Sequence, residues 1–242
     1  VSQNNYFKIL NTSDFSVINS FNWASNHPGT ITYLPNLNKV YVDRQHDKKI
    51  SIIDGSSNLY TNDINIYYDC VNFMQYDQVN NLMYCTAYDN NNPNVFGASV
   101  INVNNNAEVS HYPLSRCSFG ITKNAYNNKA YAGGVGILPF TSTSQGQLIN
   151  TGSRMNYRLA YDTYNHNIIS ANLNAGSTCI INSNDSLFKF LQIGGSAFKG
   201  CYNSIDNKIY FIQDFTVPVF DENSSAMPSF ISVINGNDNT MS

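Results

Sequence analysis

One short pattern recurs five times along the chain and constrains the fold more than any other feature. It is clearest in NKVYVDRQHDKKISIIDG at residues 38–55, where two strand-forming runs flank a polar tip and end in a turn. One residue anchors each copy, at spacings of 38 to 47 residues: Tyr41, Tyr84, Tyr131, Ile169 and Tyr210. A repeat of roughly 40–45 residues that carries four short strands is typical of a β-propeller blade.

Two more columns keep the same register as the anchors. Seven residues before each anchor stand Leu34, Asp77, Asn124, Asp162 and Asn203. Three residues before each anchor stand Asn38, Asn81, Asn128, His166 and Asn207. Asp and Asn favour tight turns, and Asn tolerates the positive φ angles that such turns need. We therefore predict a tight turn between the first and second strands of every copy.

The remaining sequence predicts strands and no helix. Runs of four to seven residues rich in Val, Ile, Tyr, Phe and Thr alternate with clusters of Asn, Asp, Gly and Ser, and no apolar period of 3.6 residues appears. We predict an all-β chain that forms a single domain over residues 1–242. Its repeat units are 27–66, 70–113, 117–154, 155–193 and 196–236.

Both ends of the chain also carry strand patterns. Residues 6–21 align with the third and fourth strands of a unit, and the last unit supplies a third strand, FISVING. Propellers commonly close by completing one blade from both termini, because an open ring leaves unpaired sheet edges. We predict five blades with a closing blade shared between the termini, and six blades are the alternative.

The repeat resembles a known family. The pattern D/N-x-x-x-N-x-x-Y followed by IIDG, best kept in LPNLNKVYVDRQHDKKISIIDGSSN, is similar to the YVTN/NHL-type propeller repeat. Unit 117–154 departs most, because YAGGVGILPFTSTSQGQLINTG lacks the IID element. The resemblance covers nearly the whole chain and implies the propeller architecture. It implies no activity, because such propellers occur in surface proteins, scaffolds and enzymes alike.

Composition narrows the classes of partner. Charged residues make up 12% of the chain, the net charge is −3 and no run of Lys or Arg occurs, so the basic footprint that a nucleic-acid partner requires is missing and we expect no nucleic-acid binding. No apolar run reaches the ~18 residues of a membrane helix. Neutral polar surfaces rich in Asn and Tyr are common in extracellular proteins, and an AT-rich genome is the other explanation. Because the chain does not begin with Met, we expect a processed or trimmed product that is secreted or displayed at the cell surface.

Histidine and acidic residues show no metal-binding spacing. His27, His46, His111 and His166 form no HxH or HExxH motif, and the Asn-rich loops lack the alternating ligands of a calcium site. The glycine run AGGVG precedes no helix, so it does not match a phosphate-binding loop. We predict that the protein needs neither a metal nor an organic cofactor.

The predicted binding residues lie where inner strands begin and in the loops that join second to third strands. In a propeller these loops share one face, and here they vary most in length and chemistry. Variable loops on a fixed scaffold usually carry binding specificity. The predicted contacts, which include cations suited to an anionic ligand, are His27, Arg44, His46, Tyr88, Arg116, Arg158 and Lys199.

Cysteines and glycosylation sequons add two smaller predictions. Cys70 and Cys117 occupy the same repeat position at the start of neighbouring inner strands, so a disulfide between them is geometrically conceivable. Asn-x-Ser sequons at Asn11, Asn184 and Asn223 are candidate N-glycosylation sites.

Two classes of function remain open. The first is a non-catalytic recognition or assembly module, outside the cell or on its surface, that binds a protein or glycan partner on the variable-loop face. The alternative is a propeller hydrolase or lyase that acts on a glycan or lactone. Paired carboxylates at the axial mouth would support the enzyme, and the acids that can be placed there, Asp43 and Asp214, are predicted to lie in loops without a partner.

Overall fold

The structure of the protein is a computed structural model. It describes residues 2–3, 6–23, 27–92, 94–116, 118, 120–152, 156–172, 177–192, 196–214 and 230–241. All regular elements in these ranges are β-strands, which confirms the all-β prediction. Within the same ranges, nothing helical has the length and apolar character that crossing a membrane requires.

The described residues form 22 strands. They are β1 (Ser2–Gln3), β2 (Tyr6–Leu10), β3 (Val17–Asn22), β4 (Pro28–Leu34), β5 (Lys39–Arg44), β6 (Lys49–Asp54), β7 (Leu59–Asn65), β8 (Cys70–Asp77), β9 (Leu82–Tyr88), β10 (Phe96–Asn102), β11 (Ala107–Leu114), β12 (Ile121–Asn124), β13 (Lys129–Ala132), β14 (Leu138–Phe140), β15 (Asn156–Asp162), β16 (Asn167–Asn172), β17 (Ser177–Ile181), β18 (Leu187–Gln192), β19 (Ser196–Asn203), β20 (Lys208–Asp214), β21 (Phe230–Asn235) and β22 (Thr240–Met241).

These strands form six antiparallel sheets, consistent with a propeller-like fold. Sheet 1 is β1–β3, sheet 2 is β4–β7, sheet 3 is β8–β11, sheet 4 is β12–β14, sheet 5 is β15–β18 and sheet 6 is β19–β22. Each sheet keeps chain order, so consecutive strands are hydrogen-bonded neighbours. The predicted units 27–66, 70–113 and 155–193 each correspond to one four-stranded sheet.

The two ends of the chain pair differently from the prediction. Residues 2–22 form sheet 1 by themselves, and the last repeat obtains its fourth strand from β22, which pairs with β21 at Ile234 and Asn235. Among the described strands, no sheet contains strands from both termini. The blade expected to be shared between the ends is therefore replaced by two separate sheets.

Sheet 1 does contain the predicted third and fourth strands. Asn11 begins its turn as Asp54 begins the turn of sheet 2, and four residues later Phe15 and Asn58 both have positive φ, at 57° and 59°. The register between these two strands also shifts just before Asn11 and just before Asp54. By this alignment β2 and β3 are third and fourth strands, and β1 lies in the second-strand position.

The chain divides into two compact units, 1–117 and 118–242, each of which contains three sheets. In the first unit, apolar cores lie between sheets 1 and 2 and between sheets 2 and 3. In the second, they lie between sheets 4 and 5 and between sheets 5 and 6. A single domain over the whole chain stays a prediction.

The conserved turn column has the predicted backbone conformation. All five residues three before the anchors have φ between 47° and 59°, namely Asn38, Asn81, Asn128, His166 and Asn207. Four of these five turns begin with an Asp or Asn whose Oδ1 accepts backbone N–H groups two or three residues on, as Asp77 does from Val79 and Asn80, whereas the first turn begins with Leu34. Local side-chain hydrogen bonds of this kind favour turns over continued strands.

The anchor tyrosines join one sheet to the next within each unit. The Tyr41 hydroxyl donates to Asn106 Oδ1 of sheet 3 at 2.7 Å, and the Tyr131 hydroxyl donates to Asp185 Oδ1 of sheet 5 at 2.6 Å. Both acceptors are the positive-φ residues of a third-to-fourth-strand turn. Burial raises the pKa of Tyr41 to about 12, so its hydroxyl keeps its proton and remains a donor.

Candidate binding surface

The variable loops of sheets 2 and 3 meet at one edge of the first unit. Because the strands are antiparallel, the start of a first strand, the loop between second and third strands and the end of a fourth strand share that edge. The segments concerned are 45–48 between β5 and β6, 66–69 between β7 and β8, and 89–95 between β9 and β10. We call this region the variable-loop edge.

A β-bulge in the first strand of sheet 3 positions the buried part of this edge. Val71 lies opposite Ala87 and Phe73 lies opposite Thr86, so Asn72 is the extra residue. A bulge leaves backbone N–H and C=O groups without partners in the neighbouring strand. Here, side chains of sheet 2 are the partners. Asp43 Oδ2 accepts the Val71 N–H at 3.2 Å, and the Thr30 hydroxyl contacts the carbonyls of Val71 and Asn72 at 3.2 and 3.0 Å.

The carboxyl group of Asp43 is buried away from solvent. It is 0% exposed, and its Oδ1 has no hydrogen-bond partner in the described part of the chain. Desolvation raises the pKa of Asp43 well above its ordinary value, and the neighbouring charge of Asp69 adds to the rise. Gly29 makes room for the carboxyl group, because a Cβ there would lie 2.5 Å from Oδ2. These surroundings favour the protonated form.

His46 and Cys70 lie beside this acid at the start of sheet 3. His46 has a φ of 72°, and its Nδ1 lies 3.7 Å from the Cys70 sulfur. Burial raises the pKa of the Cys70 thiol, which opposes formation of the thiolate. The pair therefore lacks the lowered thiol pKa of a reactive cysteine, and Cys70 behaves as a buried thiol in contact with an exposed imidazole.

The exposed part of the edge is a row of charges and rings, which we call the Tyr67 ladder. It consists of Asp89, Lys48, Tyr67, His111 and Glu108. The Lys48 ammonium lies 3.8 Å from Asp89 Oδ2 and 6.0 Å from the Tyr67 ring centroid. The rings of Tyr67 and His111 stack at 4.0 Å with an interplanar angle of 10°. Glu108 Oε2 accepts the Tyr67 N–H at 2.8 Å.

The Tyr67 ladder remains accessible although its members contact one another. Tyr67 is 55% exposed, and the side chains of Lys48 and His111 are 47% and 43% exposed. Tyrosine offers both an apolar ring and a polar hydroxyl, which suits recognition at a wet surface. The ladder joins four separate chain segments, so its geometry depends on the packing of sheets 2 and 3.

Arg44 is held by ion pairs at this edge. Its guanidinium pairs with Asp47, contacts Asp63 Oδ2 at 3.1 Å, and lies 5.6 Å from the Trp23 ring centroid. The side chain is 17% exposed. Two carboxylates therefore neutralise the charge that was predicted to attract a ligand.

The other predicted contacts of the first unit lie along the same edge. The His27 carbonyl accepts the Gln45 N–H at 3.1 Å, which brings His27 next to the loop that carries His46. Tyr88 ends β9, is half-buried and lies opposite Cys70. Arg116 is exposed just after β11. His27, Arg44 and His46 thus lie around one loop. Tyr88 lies near this group because it is opposite Cys70, which contacts His46.

The predicted contacts of the second unit stand in inner strands. Arg158 is half-buried in β15. Lys199 lies in β19 opposite Ile212, and its side chain is outside the described part of the chain. The structure assigns neither residue to the Tyr67 ladder.

Cysteine and sequon predictions have mixed outcomes. Cys70 is a free, buried thiol, so the structure does not contain the predicted bridge to Cys117, a residue outside the described ranges. Asn11 is half-buried and Asn184 is exposed, both in turns, whereas Asn223 lies outside the described residues. Glycosylation at these positions stays a prediction. In the described ranges, no three His, Cys, Asp or Glu side chains converge as metal ligands would.

Sequence reasoning missed two features of this edge. Asp43 was predicted to lie in a loop, but it is in β5 and fully buried, because the β5 strand runs as far as Arg44. The Tyr67 ladder was not predicted at all. Its one sequence signal is the aromatic pair Tyr67–Tyr68 in the short link between two repeats, where turn residues would be expected.

Comparisons with known proteins add information on the fold alone. No protein-family model matches the chain, and no curated protein matches it. Solved structures do match. A protein of unknown function from Desulfotomaculum acetoxidans has a TM-score of 0.72 at 10% identity, over 99% of this chain and 75% of that one.

Two further similar structures have known names. Hydrazine synthase from Kuenenia stuttgartiensis has a TM-score of 0.69 at 12% identity, and a mitotic checkpoint complex has 0.68 at 10%. The matches cover 88% and 86% of this chain but only 64% and 65% of those chains. At such identities the likeness concerns the fold, and the resemblance to the YVTN/NHL-type repeat stays a prediction.

Proposed function

We propose that this protein is a non-catalytic recognition module, secreted or displayed at the cell surface, that binds a protein or glycan partner at the variable-loop edge. The observation that carries the proposal is the Tyr67 ladder, an exposed aromatic pair flanked by one cation and two carboxylates. Exposed tyrosine beside pairable charges is characteristic of interface anchors.

The proposal also covers the number and arrangement of the sheets. The six sheets would be the blades of a propeller of the YVTN/NHL type. The separate pairing of both chain ends supports six blades over the five that were first expected. Such a scaffold holds the loops of neighbouring sheets in fixed positions, as a binding surface requires.

The test compares two tyrosines of equal exposure in the first unit. Tyr67 is 55% exposed in the ladder, whereas Tyr33 is 54% exposed in β4 and donates to Asn38. The labelled protein is applied to an array of immobilised glycans and extracellular proteins. We expect at least one ligand whose binding falls about tenfold or more with Tyr67→Ala, a typical anchor effect, and persists with Tyr33→Ala. Equal loss in both variants, or no binding at all, would contradict the proposal.

The enzyme alternative keeps one specific supporting observation. A general acid needs a raised pKa, and burial raises the pKa of Asp43, with Asp69 close enough to contribute. The test is hydrolysis of a panel of aryl glycosides and lactones by the wild type and Asp43→Asn. Turnover that disappears in the folded variant would favour the enzyme, and turnover that persists would exclude Asp43 as its acid.

A further inference from the structure

The turns between first and second strands of the second unit expose a large apolar side chain at one shared position. Two residues after the Asn or Asp that begins each turn stand Tyr126 in sheet 4, Tyr164 in sheet 5 and Ile205 in sheet 6. These side chains are 66%, 69% and 95% exposed. Turn positions are usually filled by Gly, Pro, Asn, Asp or Ser, so the turns themselves do not require large apolar residues there.

Sheet 5 adds two more exposed apolar side chains at the same edge. In an antiparallel sheet, the turn between third and fourth strands shares an edge with the turn between first and second strands. Leu187 and Phe188 begin β18 directly after such a turn, and they are 43% and 57% exposed. Phe188 is the extra residue of a β-bulge, because Leu187 lies opposite Ile181 and Lys189 lies opposite Ile180. We call this edge of the second unit the turn edge.

Contacts between sheets fix the turns of this edge relative to one another. Asn124 Nδ2 of sheet 4 donates to the carbonyl of His166 in sheet 5 at 2.9 Å, and the Tyr126 ring stacks on the His166 ring at 4.2 Å. Asn165 Nδ2 of sheet 5 donates to the carbonyl of Gly236 in sheet 6 at 2.5 Å. The exposed apolar side chains therefore project from one connected edge.

The charges of the turn edge balance one another. Its described charged side chains are four lysines and four aspartates, namely Lys123, Lys129, Lys189, Lys208, Asp162, Asp185, Asp206 and Asp238. Lys129 pairs with Asp185, and the Lys208 ammonium lies 3.8 Å from Asp206 Oδ2. An edge without net charge attracts neither a strongly anionic nor a strongly cationic partner.

The arrangement of the apolar side chains suits a lipid surface better than a protein. A protein interface buries a continuous apolar core, whereas at the turn edge Asn, Asp and Ser residues stand between one apolar side chain and the next. At the headgroup level of a bilayer, such polar residues stay hydrated while single apolar side chains reach the acyl boundary. Tyrosine suits this boundary, because its ring is apolar and its hydroxyl is polar.

We propose that the turn edge of the second unit binds the surface of a lipid bilayer. Ile205 and Phe188 insert their side chains, while Tyr126 and Tyr164 lie at the level of the headgroups with their hydroxyls in water. Burial of apolar surface supplies the affinity, so binding requires no anionic lipid. The turn edge shares no residue with the Tyr67 ladder and gives the protein a second binding surface.

Sedimentation with sucrose-loaded phosphatidylcholine vesicles tests this inference on the whole chain. We expect half of the protein to be bound at about 1 mM lipid or less. Ile205→Ser should weaken binding about tenfold and Tyr164→Ser about fivefold, because each removes apolar surface that the bilayer buries. Replacing about a quarter of the lipid with phosphatidylserine, or adding about 0.5 M NaCl, should change the affinity by less than about threefold.

Val135→Ser is the matched control within the second unit. Val135 is 41% exposed in the loop between β13 and β14, at the opposite edge of sheet 4. This variant should sediment as the wild type does, and so should Tyr67→Ala. A thermal melt of each variant confirms that it is folded.

Three results would overturn the inference. Absence of sedimentation at about 5 mM lipid would leave a protein as the partner of the turn edge. Equal weakening by Val135→Ser and Ile205→Ser would show that the turn edge has no special role. Binding confined to phosphatidylserine vesicles would show that charge, and not apolar insertion, holds the protein. Binding by the Tyr67 ladder is measured on the array without lipid, so a failure here leaves the proposed recognition function standing.

Discussion

Asparagine and aspartate stabilise most of the turns between first and second strands in two ways. At the start of such a turn, a side-chain oxygen accepts the next backbone N–H groups, as Asn124 does from Tyr126 and Asn127. At its end, Asn adopts positive φ and its carbonyl can accept from the residue after the third strand, as Asn38 does from Gly55 at 2.7 Å. The high Asn content therefore follows in part from the number of turns.

A substitution at Asn128 tests the second of these roles. Its φ is 58°, and its side-chain oxygen accepts from the ammonium group of Lys123 at 2.6 Å. Asn128→Val should lower the free energy of unfolding by about 1–2 kcal/mol, because a β-branched residue is strained at positive φ. Asn128→Gly should change it by only a few tenths. Urea unfolding measures both, and an equal loss would show that the side chain matters more than the backbone conformation.

Asp43 gives the protein a pH dependence of opposite sign to that of most carboxylates. Burial raises its pKa above 3.8 in the folded state, so the folded protein holds this proton more tightly than the unfolded chain. The stabilisation is complete below the ordinary pKa and is lost as the pH rises through the raised value. Asp43→Asn cannot ionise and retains an oxygen that can accept the Val71 N–H.

We expect Asp43→Asn to gain stability relative to the wild type as the pH rises from about 4 to 8. Urea unfolding at several pH values measures the difference. Asp54→Asn is the control of opposite sign, because hydrogen bonds from Ser57 lower the pKa of Asp54 and its contribution is lost as the pH falls. A difference that does not vary with pH would show that folding leaves the pKa of Asp43 unchanged.

At the scale of elements, the second strands of sheets 2 and 4 connect to the next sheet through their anchor tyrosines. Tyr131 is 0% exposed, and its hydroxyl contacts Asp185 and Asn127 at 2.6 Å each. Tyr210 occupies the same register in sheet 6, but its hydroxyl donates to Asp206 of its own turn, on a face where Ile212 and Ile231 are 49% and 65% exposed. The hydroxyl of the anchor tyrosine thus bonds to the next sheet in sheet 4 but to its own turn in sheet 6.

This contrast predicts unequal costs for the same substitution. Tyr131→Phe should lower the free energy of unfolding by about 1–2 kcal/mol, because it removes a buried bond to a carboxylate. Tyr210→Phe should cost less than about 0.5 kcal/mol, as expected near a surface. Parallel urea unfolding curves provide the comparison. Equal costs would mean that the bond between sheets adds nothing beyond the packing of the ring.

At the scale of the whole molecule, the chain contains everything that we expect its folding to require. Within each unit the sheets bury apolar cores between their faces, and among the described residues no three His, Cys, Asp or Glu side chains converge as metal ligands would. Chelation with EDTA should therefore leave the melting temperature unchanged, as a thermal melt with and without the chelator would show. A stoichiometric metal whose removal lowers the melting temperature would contradict this prediction.

The repeat, the all-β class and the turn conformations could be predicted because they depend on local sequence. Spacing identifies a repeat unit, and a turn that needs positive φ selects Asn at Asn38, Asn81 and Asn207 whatever surrounds it. The candidate binding residues were predicted only as a group. His46 lies in its predicted loop, whereas Tyr88 ends strand β9, and the partner Asp63 of Arg44 comes from a separate strand.

Sequence alone was sufficient for the strand pattern, the register of the anchors and the side of each sheet on which the loops vary, because all three follow from neighbours along the chain. Tertiary structure decided the rest. The raised pKa of Asp43 and the stacking of Tyr67 on His111 both arise where one sheet packs against another. The residues in contact are far apart in the sequence, 28 positions for Asp43 and Val71, and the local pattern carries no information on their distances or their exposure to water.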